Sequence, residues 1–376
     1  MTASPYLFLL RLAACASLLL TGPPALARQE GPSLSRPLGL VWKYETRETV
    51  NFTPAEGGGG VYLPLQDGVI VALRASDGEL SWRAEVGGGI SAAPWADEAA
   101  VYVASENSAA AGRAGAKAQG AVRALGLQSG VTLWLRPLPA PIRGSLVSGA
   151  EALYGGAEDG RLYAFRKTTG EVLWIRQHSS PFQSQPVISG GKLYVGDEAG
   201  NLFAVDLGTG RTLWRYQTLK PLRAPVAVGE GVIYVGSQDG YVSALEAASG
   251  AVRWRARAGG AVQAVAPAGR CLFVTSLDNF AYCLSPSKGY RRWKRQLPGR
   301  VSAQPLVADD GILLAPLSGE ECLVLAPRDG RKLNSINVGE DNNTAASPLR
   351  AGRLLLLTTR RGLFAYTGTE SWPKGV

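Results

Sequence analysis

Tryptophan recurs along this chain at a nearly fixed interval. Trp134, Trp174, Trp214 and Trp254 stand 40 residues apart, Trp293 follows 39 later, and Trp42 and Trp82 are again 40 apart; only the step from Trp82 to Trp134, at 52, is long. A period near 40 that carries strand-like sequence marks a radially repeated fold, in which each unit buries its faces against its neighbours. One unit then accounts for most of the 376 residues. A repeat of this kind builds a binding surface, and chemistry needs further residues placed upon it.

The units align best between residues 150 and 260. Lys192 to Trp214 and Val232 to Trp254 each read as strand, turn, strand, turn, strand. The first turn holds Asp-Gly or Ala-Gly (Asp67-Gly68, Asp159-Gly160, Ala199-Gly200, Asp239-Gly240). The second holds Asp-Gly, Ser-Gly or Thr-Gly (Asp77-Gly78, Thr169-Gly170, Thr209-Gly210, Ser249-Gly250, Asp329-Gly330). Glycine there supplies the positive φ that tight hairpins need. A fourth strand fits the stretch before each unit, such as Ala224-Pro225-Val226. Four strands per unit is the blade of a β-propeller. The chain is therefore expected to be all-β, an eight-bladed propeller of four-stranded antiparallel blades over residues 41–368. Its last copy, Arg353 to Tyr366, stops before a Trp strand, and Val41-Trp42-Lys43-Tyr44 supplies that strand from the N-terminus. In a degenerate copy Asn334 stands where the others carry Trp. Trp42, Trp82, Trp134, Trp174, Trp214, Trp254 and Trp293 are expected to wedge between blades.

Residues 1–27 read as an export signal: Arg11, an apolar run from Leu12 to Leu20, and an Ala25-Leu26-Ala27 cleavage site. Leu12-Ala13-Ala14-Cys15 offers a second reading, a lipobox whose Cys15 is lipidated. The expected location is the periplasm or the exterior, with an outer-membrane lipid anchor in the second case. Residues 28–40 read as a linker and 369–376 as a tail. The 12 extra residues before Trp134 fall near Glu106–Ala118. They form either a contact loop or a tolerated insertion.

Several chemistries lack their residues. His178 is the only histidine, so a His-based metal site is excluded by number, and no Gly-x-Ser-x-Gly elbow accompanies it. It reads as a loop residue after the Trp174 strand. The runs Gly57–Gly60 and Gly87–Gly89 lack a following helix and read as blade connectors, not phosphate cradles. The formal charge is +9, but no aromatic-interleaved basic stretch points to nucleic acid. Basic residues follow the tryptophans (Arg83, Arg136, Arg176, Arg215, Arg255, Lys294, Arg295). They form either a girdle for an acidic partner or solvated edge charges. Of the cysteines beyond the signal, Cys271 and Cys283 fall on adjacent strands. Aligning the repeats sets Leu272 opposite Cys283, so the two thiols are expected on opposite faces, with Cys271, Cys283 and Cys322 as small core residues.

The unit Asp159-Gly-Arg-Leu-Tyr-Ala-Phe-Arg-Lys-Thr-Thr-Gly-Glu-Val-Leu-Trp174 resembles the repeat of the pyrroloquinoline-quinone-like propellers, over roughly residues 41–366. Quinoprotein dehydrogenases of that superfamily carry adjacent cysteines over the quinone and calcium ligands; no two cysteines are adjacent here. In length, export signal and blade number the chain is more similar to the BamB-like family of the outer-membrane protein assembly machinery. That resemblance implies a non-catalytic scaffold without cofactor or metal, a monomer within a complex. Its partner would be an envelope protein such as the periplasmic domain of the barrel-inserting subunit. The family grips that partner through loops between blades, one carrying a Leu-Arg pair. Pro141-Ile142-Arg143-Gly144-Ser145 resembles this loop, which implies that Ile142 and Arg143 lie on the partner surface. The acidic pair of the next loop has no counterpart in Ser180 to Pro186. A sensor or polymer-binding propeller and a diverged quinoprotein enzyme are the other readings.

Overall fold

Short strands with a glycine at each turn leave one solution, the antiparallel meander, and the chain repeats it around a ring. The structure, a computed structural model, describes residues 31–50, 52–107, 118–315, 319–340 and 345–369, and every element among them is a strand. The expected all-β, eight-bladed propeller is what forms. Blade 4 shows the plan: Val187–Ser189, Lys192–Gly196, Asn201–Asp206 and Thr212–Gln217 pair in sequence order, all antiparallel. Blade 2 departs from it, because Gly89–Ile90 and Trp95–Ala96 share the innermost place beside Ala100–Asn107. The long Trp interval lies in the hairpin between Ala100–Asn107 and Gln119–Gly126 of that blade, and residues 108–117 are outside the described set.

The core is not one mass. Eight apolar clusters sit between blades, one at each junction. Small residues such as Ala164, Ala204 and Ala244 in the third strands let the sheets approach, and Tyr154, Tyr194 and Tyr234 fill the space beside them.

Each outer strand carries a bulge immediately before its tryptophan. In blade 3, Ala164 faces Trp174 while Phe165 faces Val172, so Leu173 is skipped. The same slip occurs at Trp82, Trp134, Trp214, Trp254 and Trp293, and at Trp42. A bulge turns the strand and re-aims the next side chain. Here it swings the indole toward the following blade. Trp174 Nε1 donates to the Leu207 carbonyl at 2.9 Å, and the other six donate to the matching carbonyl of their own next blade. The ring face covers the turn glycine: a Cβ on Gly210 would lie 2.6 Å from the Trp174 ring, and Gly210 has φ +69°. Glycine is needed twice over at this turn, for its conformation and for the ring against it.

Blade 7 bears no tryptophan, yet its outer strand slips at the same place, with Asn334 opposite Val324. Its neighbour, blade 8, is the one whose outer turn the chain termini interrupt. Asn334 Nδ2 donates instead to the carbonyls of Leu34 and Arg36, at 3.3 and 2.6 Å. Leu34 is fully buried between these blades. Asp310 accepts from Ser33 Oγ (2.6 Å) and from both Ser35 N and Oγ (3.0 Å each). Residues 31–37, within the stretch read as linker, thus lie against blade 7. Leu38–Glu45 then pairs with Gly362–Gly368 as the outer strand of blade 8 and closes the ring. Closure completes the last four-stranded blade.

Two sequence expectations are corrected. Cys283 lies opposite Phe273, not Leu272, so Cys271 and Cys283 share a face and are joined as a disulfide, with Cα atoms 5.3 Å apart. The loop Leu277-Asp278-Asn279 has three residues, with Asn279 at φ 61° in the place of glycine; that length sets the register one step from the alignment of repeats. Cys322 is buried and free, and burial pushes its thiol up to about 12. Gly57–Gly60 is not a connector either. It turns the chain between the first two strands of blade 1, Ala55–Gly57 and Gly60–Leu65.

Two outcomes follow. Trp174→Ala should cost about 3–5 kcal/mol, as for a buried aromatic, whereas Trp174→Phe, which keeps most of the ring and loses the Leu207 bond, should cost about 1 kcal/mol; denaturant midpoints measure both. Alkylation of the chain lacking residues 1–27, unfolded without reductant, should label Cys322 alone, and labelling of all three thiols would refute the disulfide.

Candidate functional site: the rim of inter-blade loops

The loop that leads from one outer strand to the next inner strand is built on a buried anchor. Ile142, Phe182, Leu222 and Val262 recur every 40 residues, and their exposures are 0, 0, 1 and 0%. Each plugs the junction beneath the turn between the second and third strands. Phe182 N donates to Ala157 O, Leu222 N to Asp197 O and Val262 N to Ser237 O. In the other direction Glu158 N, Glu198 N and Gln238 N donate to the carbonyls of Pro141, Pro181 and Pro221. Loop and turn are thereby fixed as one rim.

Ile142 of the expected pair is therefore core. It bridges Ala157, and its side chain offers no surface. The next residue in each loop points outward: Arg143, Gln183, Arg223, Gln263. The Arg143 guanidinium sits between Glu106 of blade 2, at 2.8 Å, and Glu158 of its own blade, at 3.0 Å. Burial works against its charge, but the hydrogen bonds to both carboxylates outweigh this and push its pKa up. Arg223 pairs with Glu198 of the preceding blade at 2.8 Å, and that hydrogen bond raises its pKa. Leu222-Arg223 is a literal Leu-Arg pair at the same structural position. Sequence reading passed over it, although the spacing of Pro141, Pro181 and Pro221 marks it. Leu219, in the same loop, is 83% exposed. Cys15 lies outside the described residues.

The basic residues after the tryptophans form no free girdle. Arg136 Nε donates to Gly170 O at 2.8 Å and Arg176 donates to Thr209 O, both in the next blade. Arg83 pairs with Glu48, and Arg215 donates to Asn201 Oδ1. Arg255 lies over the Tyr241 ring and Lys294 over Phe280. They tie strands and blades together.

His178 follows the strand Val172–Gln177 in the loop and packs on Phe203 and Phe182, with ring centroids 4.4 and 5.2 Å away. Burial lowers its pKa, opposed by the charge of Asp197. Both Asp197 oxygens are engaged by Asn201.

The model of the family described as outer membrane protein assembly factor BamB matches residues 34–117, 118–223 and 204–371. The chain belongs to the BamB family. BamB from Moraxella catarrhalis superposes with a TM-score of 0.75 at 12% identity, over 88% of this chain and 99% of that one. The computationally designed Ika8 protein gives 0.73 at 14% identity, over 88% and 99%. Quinohemoprotein alcohol dehydrogenase from Comamonas testosteroni gives 0.71 at 12% identity, over 90% of this chain and 78% of that one. No curated protein sequence matches. At these identities the structural likenesses speak for the fold.

The cysteines of this BamB-family propeller do not form the adjacent pair of a quinoprotein. The disulfide joins two strands of a buried hairpin rather than adjacent residues. Among the described residues no three carboxylate, thiol or imidazole groups converge on a point.

The lowered pKa of His178 gives a pH dependence. The fold favours neutral imidazole, so the stability it contributes is complete above the unfolded value of about 6.5 and is lost as pH falls through the lower folded value. Urea midpoints of the wild type should fall from pH 7.5 to pH 5, and His178→Phe should flatten that fall; an identical profile in the variant would refute it.

Proposed function

We propose that this chain is an exported, non-catalytic scaffold that assists assembly of outer-membrane β-barrel proteins. The observation that carries the reading is the family match along nearly the whole ring. The rim supports it. Arg143 and Arg223 stand at equivalent loop positions two blades apart, each held by carboxylates and each partly exposed. Arginine held in this way is pre-organised for a partner's carboxylate or carbonyl, and arginine is enriched in binding hot spots. Leu219 adds apolar surface beside Arg223. The partner we propose is the periplasmic domain of the barrel-inserting subunit, bound by one copy of this chain. Residues 1–27 act as the export signal, with Cys15 as the alternative lipid anchor. The disulfide fits an oxidising compartment such as the periplasm.

The test is recovery of partners from cross-linked cells carrying a C-terminally tagged chain. The barrel-inserting subunit is the expected catch. Arg143→Gln and Arg223→Gln should each lower its recovery several-fold, and the double variant at least 10-fold, with melting temperatures close to wild type. Undiminished recovery from the double variant refutes the assigned surface. Recovery of a polysaccharide or an unrelated envelope protein refutes the pathway.

A further inference from the structure

One turn on the rim differs in charge from its described counterparts. Among the described residues, the turns between the second and third strands of blades 1, 3, 4, 5 and 6 carry an aspartate, namely Asp67, Asp159, Asp197, Asp239 and Asp278. Four of these cap their own turns: Asp159 accepts from Arg161 N, Asp197 from Asn201 N, Asp239 from Tyr241 N and Asp278 from Phe280 N. Blade 8 places Arg360-Arg361 in that turn instead. The cap passes to Thr359, whose Oγ1 accepts from Arg361 N and donates to Gly362 O. The turn is pressed onto the closing strand at Gly362, where any Cβ would collide with the Tyr44 carbonyl.

Across from the turn runs the loop that leaves the strand Leu38–Glu45. Thr46 N donates to Arg361 O at 2.7 Å, Gln66 N donates to Thr49 O at 3.1 Å, and buried Val50 pins the loop into the core between blades 8 and 1. Turn and loop flank an open cleft of about 410 Å³ lined by Thr46, Arg47, Thr49, Arg360 and Arg361. Its walls carry three guanidinium groups and two hydroxyls and no carboxylate. Of the neighbouring carboxylates, Glu45 is paired with Lys43 at 3.0 Å and Glu48 with Arg83 through one oxygen at 2.8 Å, its other oxygen being buried without a hydrogen-bond partner. Among the described residues no ion pair involves Arg47, Arg360 or Arg361, in contrast to Arg143 and Arg223 on the same rim.

We propose that this cleft binds a phosphate group. Three unpaired like charges around one concavity repel one another and concentrate anions. Planar guanidinium forks match the oxygens of a tetrahedral anion two at a time. Thr46 Oγ1 accepts from Glu48 N, which leaves its proton free to donate. The volume lies within the range of small-ligand sites and has room for a phosphate carried as an ester or an anhydride. Free phosphorylated solutes and anionic lipid headgroups share that chemistry. The proposal is independent of Arg143 and Arg223 and of the partner they bind.

Calorimetric titration of the purified chain with pyrophosphate tests the free form, and co-sedimentation with phosphatidylglycerol vesicles, against phosphatidylcholine vesicles, tests the headgroup. The expected result is saturable binding in at least one arm, weakened at least 10-fold by Arg360→Gln/Arg361→Gln and again by Arg47→Gln. Pyrophosphate binding alone assigns a soluble ligand, and vesicle binding that the same changes remove assigns a lipid surface. Arg270→Gln/Lys288→Gln, on exposed turns of blade 6, removes the same net charge and should leave binding unchanged. No binding in either arm overturns the proposal, as does an equal loss in the blade 6 control. Circular dichroism melts of all variants establish that the ring is intact.

Discussion

One contact repeats around this molecule, an indole laid on the turn glycine of the next blade with its N–H on a carbonyl of that blade. Every other feature of the ring depends on it. The bulge before each tryptophan exists to aim the ring outward from its own sheet. The turn glycine has positive φ and no Cβ, and both properties serve the contact. Because the indole is satisfied by the neighbouring backbone, the aromatic can be buried at the edge of a sheet without stranding its donor. A blade alone would expose two apolar faces; seven such contacts and one substitute make the faces shared.

The substitute explains why blade 7 tolerates the loss of its tryptophan. A tryptophan there would find no turn glycine, since the outer strand of blade 8 comes from Leu38–Glu45 and no turn joins it to Gly362–Gly368. Asn334 reaches the carbonyls of the entering chain instead, and Leu34 fills the volume that the indole occupies elsewhere. Asp310 and the two serines hold this entry by three hydrogen bonds. Burial of Asp310 opposes its charge, but those bonds outweigh it and keep its carboxyl below the usual carboxylate range. The degenerate copy is thus the physical consequence of where the ring is opened.

Much of this was legible. Tryptophan spacing fixed the period, and the paired glycine turns fixed four strands per unit. The incomplete last copy located the closure. What escaped depends on counting by one. Similarity between repeats sets Cys271 and Cys283 on opposite faces, whereas the three-residue hairpin loop of blade 6 demands the other register. Ile142 was assigned to the surface by resemblance, although Phe182, Leu222 and Val262 at the same interval mark that position as core. The signal for Arg223 lay in the same comparison. The charges after the tryptophans could be listed, but carbonyls and ring faces, their partners in the next blade, are visible only once the blades are stacked.

The separation of anchor from rim is what allows one ring to carry different tasks. Positions 142, 182, 222 and 262 are held apolar by the junctions they plug. Positions 143, 183, 223 and 263 share the same backbone and are free to be Arg, Gln, Arg and Gln. Changing the outward residue touches no core cluster, so its cost to the fold is that of a surface substitution. The turns on the same rim behave alike: aspartate caps those of blades 3, 4, 5 and 6, yet a threonine cap in blade 8 admits two arginines without loss of the hairpin. A propeller therefore presents a ring of independently variable sites at fixed separation. This chain and an alcohol dehydrogenase can superpose on the same strands at 12% identity, because what the strands require is confined to the junctions.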